Sequence, residues 1–186
     1  MLAALGQARA GGPVEAGGLV FSDELGGFEL LAVSGTGTED DPIVIVQKLD
    51  STDPVVLVVR TKGPLPETSF SAIEPGSFLR SAIRAVIINE SRYPWIGFDF
   101  ELQQERNRPS VYGDGLSFDQ MHTFANRLQR SSRFRQVEQA EEPYDRLRFR
   151  EGSVDPGHDV EFDVNVLDVS PVPEFYILLQ PQVPYS

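Results

Sequence analysis

Apolar residues in this chain come in short runs, and the length of those runs limits what the chain can fold into. The runs at 43–46, 55–59 and 85–88 hold four or five residues each, whereas a membrane-spanning helix needs roughly 18. Valine and isoleucine dominate the first two runs, and such β-branched residues pack well in strands. The pattern predicts a mainly β protein that does not span a membrane.

The amino-terminal half is typical of a small antiparallel sheet. Turn-forming residues at 35–38 and 50–54 separate strands that we expect at 28–33, 43–46 and 55–59. These three strands are predicted to form an antiparallel meander. Because the strands at 43–46 and 55–59 are continuously apolar, both of their faces must be covered, as they are inside a β-sandwich.

The stretch from residue 77 to residue 90 fits two structures. Ser77 can cap a helix, and the apolar residues that follow fall on one side of a helical wheel, which predicts a short helix around 77–86. The last apolar residues, 86–88, would suit a strand better. Both alternatives stay open from the sequence.

A second helix is predicted over 117–131. Ser117 and Gln120 have the spacing of a capping box, in which the hydroxyl accepts from the third amide and the glutamine reaches back. The apolar residues that follow recur at helical spacing and would form its buried stripe. The members of this stripe are Phe118, Met121, Phe124, Ala125 and Leu128.

Polar and apolar residues alternate in three later segments, which predicts strands there. In 95–101, Phe98 and Phe100 would point inward and Asp99 and Glu101 outward. A further strand is expected at 175–179.

The other two alternating segments, 146–150 and 159–166, flank a turn centred on Pro156 and Gly157. They are predicted to form a hairpin whose paired residue numbers sum to 313. In that register Phe149 faces Val164, both Phe149 and Phe162 are buried, and Arg150 lies beside Asp163.

This carboxyl-terminal pattern is similar to the closing strands of the immunoglobulin-like and fibronectin-like sandwich modules of bacterial surface proteins. The resemblance implies an antiparallel β-sandwich and no activity. We therefore expect one sandwich domain over 13–180 that carries the predicted helices. Residues 1–12 would be a disordered terminus or the remnant of a signal peptide, and residues 181–186 a tail, because Pro181 lacks the amide donor of a central strand.

Composition excludes several classes of protein. The chain has 28 acidic residues against 16 lysines and arginines, a net charge of -12, which argues against nucleic-acid binding because phosphate neutralisation needs a basic surface. The absence of cysteine excludes disulfides, zinc-thiolate sites and thiol nucleophiles. Two histidines, His122 and His158, exclude three-histidine metal sites, and we expect both to have structural roles.

Two kinds of ligand site can be derived from the remaining residues. Glu39, Asp40 and Asp41 adjoin a glycine turn, where a loop can fold several oxygens around a calcium ion. No other cofactor is expected. The acids at 159, 161 and 163 are instead expected to form a solvated strand face, since alternate residues on a strand lie roughly 6.5 to 7 Å apart.

Aromatic residues suggest the second site. Tyr93, Trp95 and Tyr112 could line a platform for a carbohydrate, whose rings stack on aromatic faces. Asp99 and Glu101 could form a carboxylate pair of the glycosidase type, which needs roughly 5 to 9.5 Å between its two groups.

These observations lead to two functional hypotheses. The first is an exported, non-catalytic module in the periplasm or outside the cell, with a binding or assembly role towards a protein or glycan and with self-association through sheet edges. Its export is inferred from Ala8, Arg9 and Ala10, which have the small-x-small pattern of a signal-peptidase site. The alternative is an extracellular, glycan-directed hydrolase, which would gather Asp99, Glu101, Asp114 or His122 in one cleft with an aromatic wall.

Overall fold

A computed structural model describes residues 12–62, 78–119, 129–139 and 145–184, which contain thirteen strands and one turn of 3-10 helix. The strands are β1 (Val14–Ala16), β2 (Leu19–Ser22), β3 (Glu29–Ser34), β4 (Ile43–Leu49), β5 (Val55–Thr61), β6 (Leu79–Asn89), β7 (Gly97–Gln103), β8 (Leu116–Ser117), β9 (Arg130–Ser131), β10 (Phe134–Gln139), β11 (Arg146–Gly152), β12 (Asp159–Asp168) and β13 (Glu174–Gln182). The 3-10 turn is Tyr112–Asp114.

The strands form two sheets, and the predicted β-sandwich is confirmed. The larger sheet has the order β1-β2-β5-β13-β7-β11-β10, and all of its pairs are antiparallel. The smaller sheet has the order β3-β4-β6-β12-β8, with β9 also on β12, and its β4–β6 pair is parallel. The described residues include no helix long and apolar enough to cross a membrane.

Phe162 of the smaller sheet lies at the centre of the core. Its ring centroid is 4.9 Å from that of Phe98, 5.0 Å from that of Phe100 and 4.8 Å from that of Phe149, all of the larger sheet. Tilted and edge-on contacts at these distances are the favourable geometries for aromatic pairs. Phe149 and Phe162 are therefore buried, as the alternation predicts.

The predicted hairpin between β11 and β12 is wrong, because the two strands lie in different sheets. The turn between them does form: the His158 amide donates to the Asp155 carbonyl at 3.1 Å, and Gly157 has a φ of 81°. The alternation tells which residues face the interior, but two strands that face each other across a sandwich alternate in the same way as two paired strands.

The expected contact between Arg150 and Asp163 is accordingly absent. Arg150 bonds to Asp99 of the larger sheet, while Asp163 is held by Arg84 and Arg130. Asp163 is also only 4% exposed, so the predicted solvated face holds for Asp159 and Glu161 and fails at its third acid.

The predicted meander is half right. β3 and β4 pair in antiparallel fashion, but β5 crosses to the larger sheet, where it lies between β2 and β13. A continuous apolar run shows that a strand is covered on both faces. It carries no information about which neighbour it pairs with.

Of the two structures that fit residues 77–90, the strand is observed. β6 is the longest of the described strands, and residues 79–86 are not helical. β6 lies between β4 and β12, and ten of its residues pair with β12. Ile83 and Ile87 point into the core, and Arg84 and Val86 point outward and are half-buried. Pairing on both sides favours the strand over the local helical pattern. Ser77 lies outside the described residues.

The helix predicted over 117–131 is wrong at both of its ends. Leu116–Ser117 and Arg130–Ser131 are short strands that pair with β12, so the chain is not helical at either end of the predicted segment. Residues 120–128, including His122, lie outside the described part of the chain.

The chain remains in the larger sheet beyond residue 180, two residues into the expected tail. Pro181 and Gln182 of β13 pair with β7, and the Gln182 carbonyl accepts from the Ile96 amide at 2.8 Å. Successive residues of an antiparallel strand bond to opposite sides, so Pro181 faces the β5 side. The pairing with β5 ends at Leu179, so the missing proline donor breaks no ladder bond.

We predict that Phe162→Ala lowers the free energy of unfolding by about 3 to 5 kcal/mol, because it removes a large buried ring and leaves a cavity. Urea denaturation followed by circular dichroism would measure the loss. Tyr93→Ala is the control, since Tyr93 is 59% exposed and surface substitutions usually change stability by about 0.5 kcal/mol or less. Equal losses in the two variants would contradict the position of Phe162 in the core.

Candidate functional site

The outward side of strands β10, β11, β7 and β13 presents charged and amide side chains, and we call it the charged face. Asp99 and Glu101 of β7 point to this side, because Phe98 and Phe100 point into the core. Asp99 is nevertheless only 7% exposed and Glu101 only 3%. Buried carboxylates are costly unless they are paired and hydrogen-bonded, so their partners decide what they can do.

Both oxygens of each carboxylate have a partner. Asp99 Oδ1 accepts from Arg150 Nη1 at 2.5 Å, and its Oδ2 accepts from the Gln182 amide at 3.4 Å. Glu101 Oε2 accepts from Arg146 Nε at 2.9 Å, and its Oε1 accepts from Gln103 Nε2 at 2.8 Å. The two acids therefore hold neighbouring side chains in place and leave no oxygen without a partner.

Arg148 lies between these two arginines on β11 and differs from them. It stands opposite Asp99 on β7 and opposite Glu138 on β10. Glu138 already accepts from Gln136 at 2.7 Å, and within the described residues the Arg148 guanidinium has no hydrogen-bond or ion-pair partner. A guanidinium offers five donors in a planar fork that fits carboxylates and other oxygen acceptors. Among the described residues, Arg148 is therefore an uncommitted donor on the charged face.

The predicted aromatic platform does not form around Trp95. Its side chain is 0% exposed, and its ring lies 5.5 Å from that of Phe98 in the core. Trp95 also bridges to Val154 through backbone hydrogen bonds of 3.0 and 2.9 Å. Tyr93 is exposed, and the side chain of Tyr112 lies outside the described residues. A buried indole offers no face to a sugar ring, so the platform hypothesis is wrong for Trp95.

The clustering of acids that the hydrolase alternative requires is only partial. Asp99 and Glu101 share the charged face, but Asp114 accepts hydrogen bonds from Ser110 and the Val111 amide at the 3-10 turn. Asp114 lines a small depression of about 90 Å³ that includes neither Asp99 nor Glu101. The structure therefore does not bring these three acids into one cleft.

In the acidic loop proposed for calcium, one carboxylate and one carbonyl already bond to protein groups. Glu39 forms an ion pair with Arg80 at 2.7 Å, and the Asp41 carbonyl accepts from the Thr36 and Gly37 amides at 3.2 and 2.9 Å. In the described ranges, no group of three or more histidine, aspartate or glutamate side chains is placed to hold a metal ion. Calcium binding by Glu39, Asp40 and Asp41 stays a prediction.

Asp168 is a buried acid that the sequence analysis missed. It is 1% exposed, its Oδ1 accepts from the Ser170 amide at 2.9 Å, and no group of the described residues lies within hydrogen-bond geometry of its Oδ2. Burial raises the pKa of Asp168 to about 6, and the negative charge of Asp114 adds to the increase. The alternation of β12 could have revealed it, because residue 168 continues the inward series of Val164 and Val166.

We predict that Asp168→Asn stabilises the protein at neutral pH. The Asp168 carboxyl has a pKa of about 6 in the folded protein, against an ordinary value of 3.8. The contribution of Asp168 to stability therefore falls as the pH rises from 3.8 to about 6. An asparagine cannot ionise, which should add up to about 3 kcal/mol above pH 7. Denaturation curves at several pH values between 4 and 8 would measure the difference, and a variant with the same pH dependence as the wild type would contradict the assignment.

Comparison of the chain with protein-family models, with curated proteins and with solved structures finds no match.

Proposed function

We propose that the chain is a non-catalytic β-sandwich module, exported to the periplasm or the cell exterior, that binds a protein or glycan partner on its charged face. The observation that carries this proposal is that the Asp99 and Glu101 carboxylates each accept hydrogen bonds from one arginine and one glutamine side chain. These are the acids that a hydrolase would need. Here they hold the side chains of a polar surface in fixed positions.

The geometry of glycoside hydrolysis makes the distinction clear. That reaction needs one carboxyl group to protonate the leaving oxygen and a second to act on the sugar or on water. Asp99 bonds to Arg150 and Gln182, and Glu101 bonds to Arg146 and Gln103. With both oxygens bonded in this way, neither carboxylate is presented to a substrate as the acid or as the second group. The binding hypothesis is therefore favoured over the hydrolase.

A fixed polar surface suits recognition, because side chains that are already ordered lose little entropy on binding. Arg148 supplies free donors at the centre of the charged face. Gln180 of β13, opposite Asp99 on the next strand, adds a half-buried amide that points the same way. A ligand rich in hydroxyl or carboxylate oxygens would match these groups.

We predict that Arg148→Ala weakens partner binding by roughly tenfold or more, since a hydrogen bond to a charged group contributes about 1.5 to 3 kcal/mol. Labelled protein would be applied to a glycan array, and immobilised protein would be incubated with extracellular extract. Arg108→Ala is the matched control, because Arg108 is an exposed arginine next to the small depression. Equal binding by both variants would overturn the assignment of the charged face.

The hydrolase alternative has its own test. We expect the purified protein to show no turnover of glycoside, ester or peptide substrates. Turnover that disappears in Asp99→Asn or Glu101→Gln, with folding of the variant verified by circular dichroism, would show that the carboxylates are catalytic.

Export is tested independently of the ligand. Residues 1–11 lie outside the described part of the chain, so the support for this step is the sequence pattern ending at Ala10. Amino-terminal sequencing of the native protein should find a chain that starts at Gly11. A cytosolic protein that still begins with Met1 would contradict export.

A further inference from the structure

Strand β10 forms one edge of the larger sheet. One side of β10 pairs with β11, and within the described residues no strand pairs with its other side. Residues 135–138 are exposed, and Val137 is one of the few large apolar side chains at the surface, with 37% exposure. An edge of this kind carries unpaired amides and carbonyls that can bond to another strand.

The sequence of β10 is compatible with antiparallel pairing to itself. A two-fold axis perpendicular to the sheet keeps each face continuous and requires the numbers of paired residues to have an even sum. With a sum of 274, Val137 meets its own copy, Gln136 lies opposite Glu138 and Arg135 lies opposite Gln139. No like charges stand directly opposite each other, and the exposed valines cover each other.

Neighbouring registers are less favourable. A sum of 276 would place Glu138 directly opposite its own copy, and like charges in that position are destabilising. A sum of 272 would place Val137 opposite the charged Arg135. In the register of 274 the two Glu138 side chains are only diagonal neighbours, and each has Arg148 opposite it on β11.

We propose that the protein self-associates through β10, with a second copy as the occupant of this edge and with Val137 on the two-fold axis. The two larger sheets then form one continuous antiparallel sheet, and the two charged faces lie on the same side of it. This proposal does not depend on the identity of the ligand, because it concerns only the edge of the sheet.

The absence of cysteine allows a direct test with single-cysteine variants of the full chain. In Val137→Cys the two introduced thiols would lie across the axis, where Cα atoms of paired residues are about 4.5 to 5.5 Å apart, within the range that a disulfide spans. Mild oxidation should convert most of this variant to a covalent dimer. In the control Arg135→Cys the two positions would be about 13 Å apart along the strands, and the protein should stay largely uncrosslinked.

Sedimentation velocity over a range of concentrations gives a second test without crosslinking. The wild type should dimerise with increasing concentration, and Val137→Lys should raise the dissociation constant by roughly tenfold or more, because like charges then meet on the axis. An equimolar mixture of Val137→Lys and Val137→Glu should recover the dimer. Circular dichroism would verify the fold of each variant.

The contradicting results are equally specific. A wild type that is monomeric at every concentration, or a dimer that Val137→Lys leaves unchanged, would overturn the proposal. Equal crosslinking of Val137→Cys and Arg135→Cys would also overturn it, since the disulfides would then come from another contact or from random collisions.

Discussion

Packing of Phe162 between the two sheets is the interaction on which the rest of the structure depends. Three rings of the larger sheet contact it at centroid distances of 4.8 to 5.0 Å, and two of these belong to β7. Because Phe98 and Phe100 must point inward to reach Phe162, the alternation of a strand forces Asp99 and Glu101 outward. The core therefore determines which side chains form the charged face.

Acids at the centre of a sheet need cationic or hydrogen-bonding partners, and the neighbouring strands of the charged face supply them. β7 lies between β11 and β13. Arginines of β11 and Gln182 of β13 donate hydrogen bonds to its acids. A buried ion pair of this kind adds little net stability, since desolvation offsets most of the attraction, but loss of one partner is strongly destabilising. The result is an ordered polar surface in which Arg148 remains available. Asp168 is the contrasting case, a carboxylate with no cationic partner in the described part of the chain, and its burial raises its pKa to about 6.

The sequence could predict which residues face the interior, and it could not predict which strands are neighbours. The alternation correctly assigns four phenylalanines to the core, because a strand has a period of two. They are Phe98, Phe100, Phe149 and Phe162. The hairpin and the position of the third strand of the meander are wrong, and residues 77–90 stay undecided between helix and strand, because strand pairing and sheet crossover depend on contacts between distant residues. The candidate site shows the same division. The alternation places Asp99 and Glu101 on a common face. The arginines that bond to them lie 51 and 45 residues away in the sequence, and their positions depend on the pairing of β7 with β11.

A double-mutant cycle on Asp99 and Arg150 tests the central claim most directly, namely that arginine occupies the carboxylates of the charged face. The stabilities of the wild type, Asp99→Asn, Arg150→Gln and the double variant would be measured by urea denaturation. A hydrogen-bonded pair in a largely buried position predicts a coupling of about 1.5 to 3 kcal/mol. A coupling of about 0.3 kcal/mol or less, the level found for independent sites, would show that the Asp99 carboxylate is free and would contradict the account.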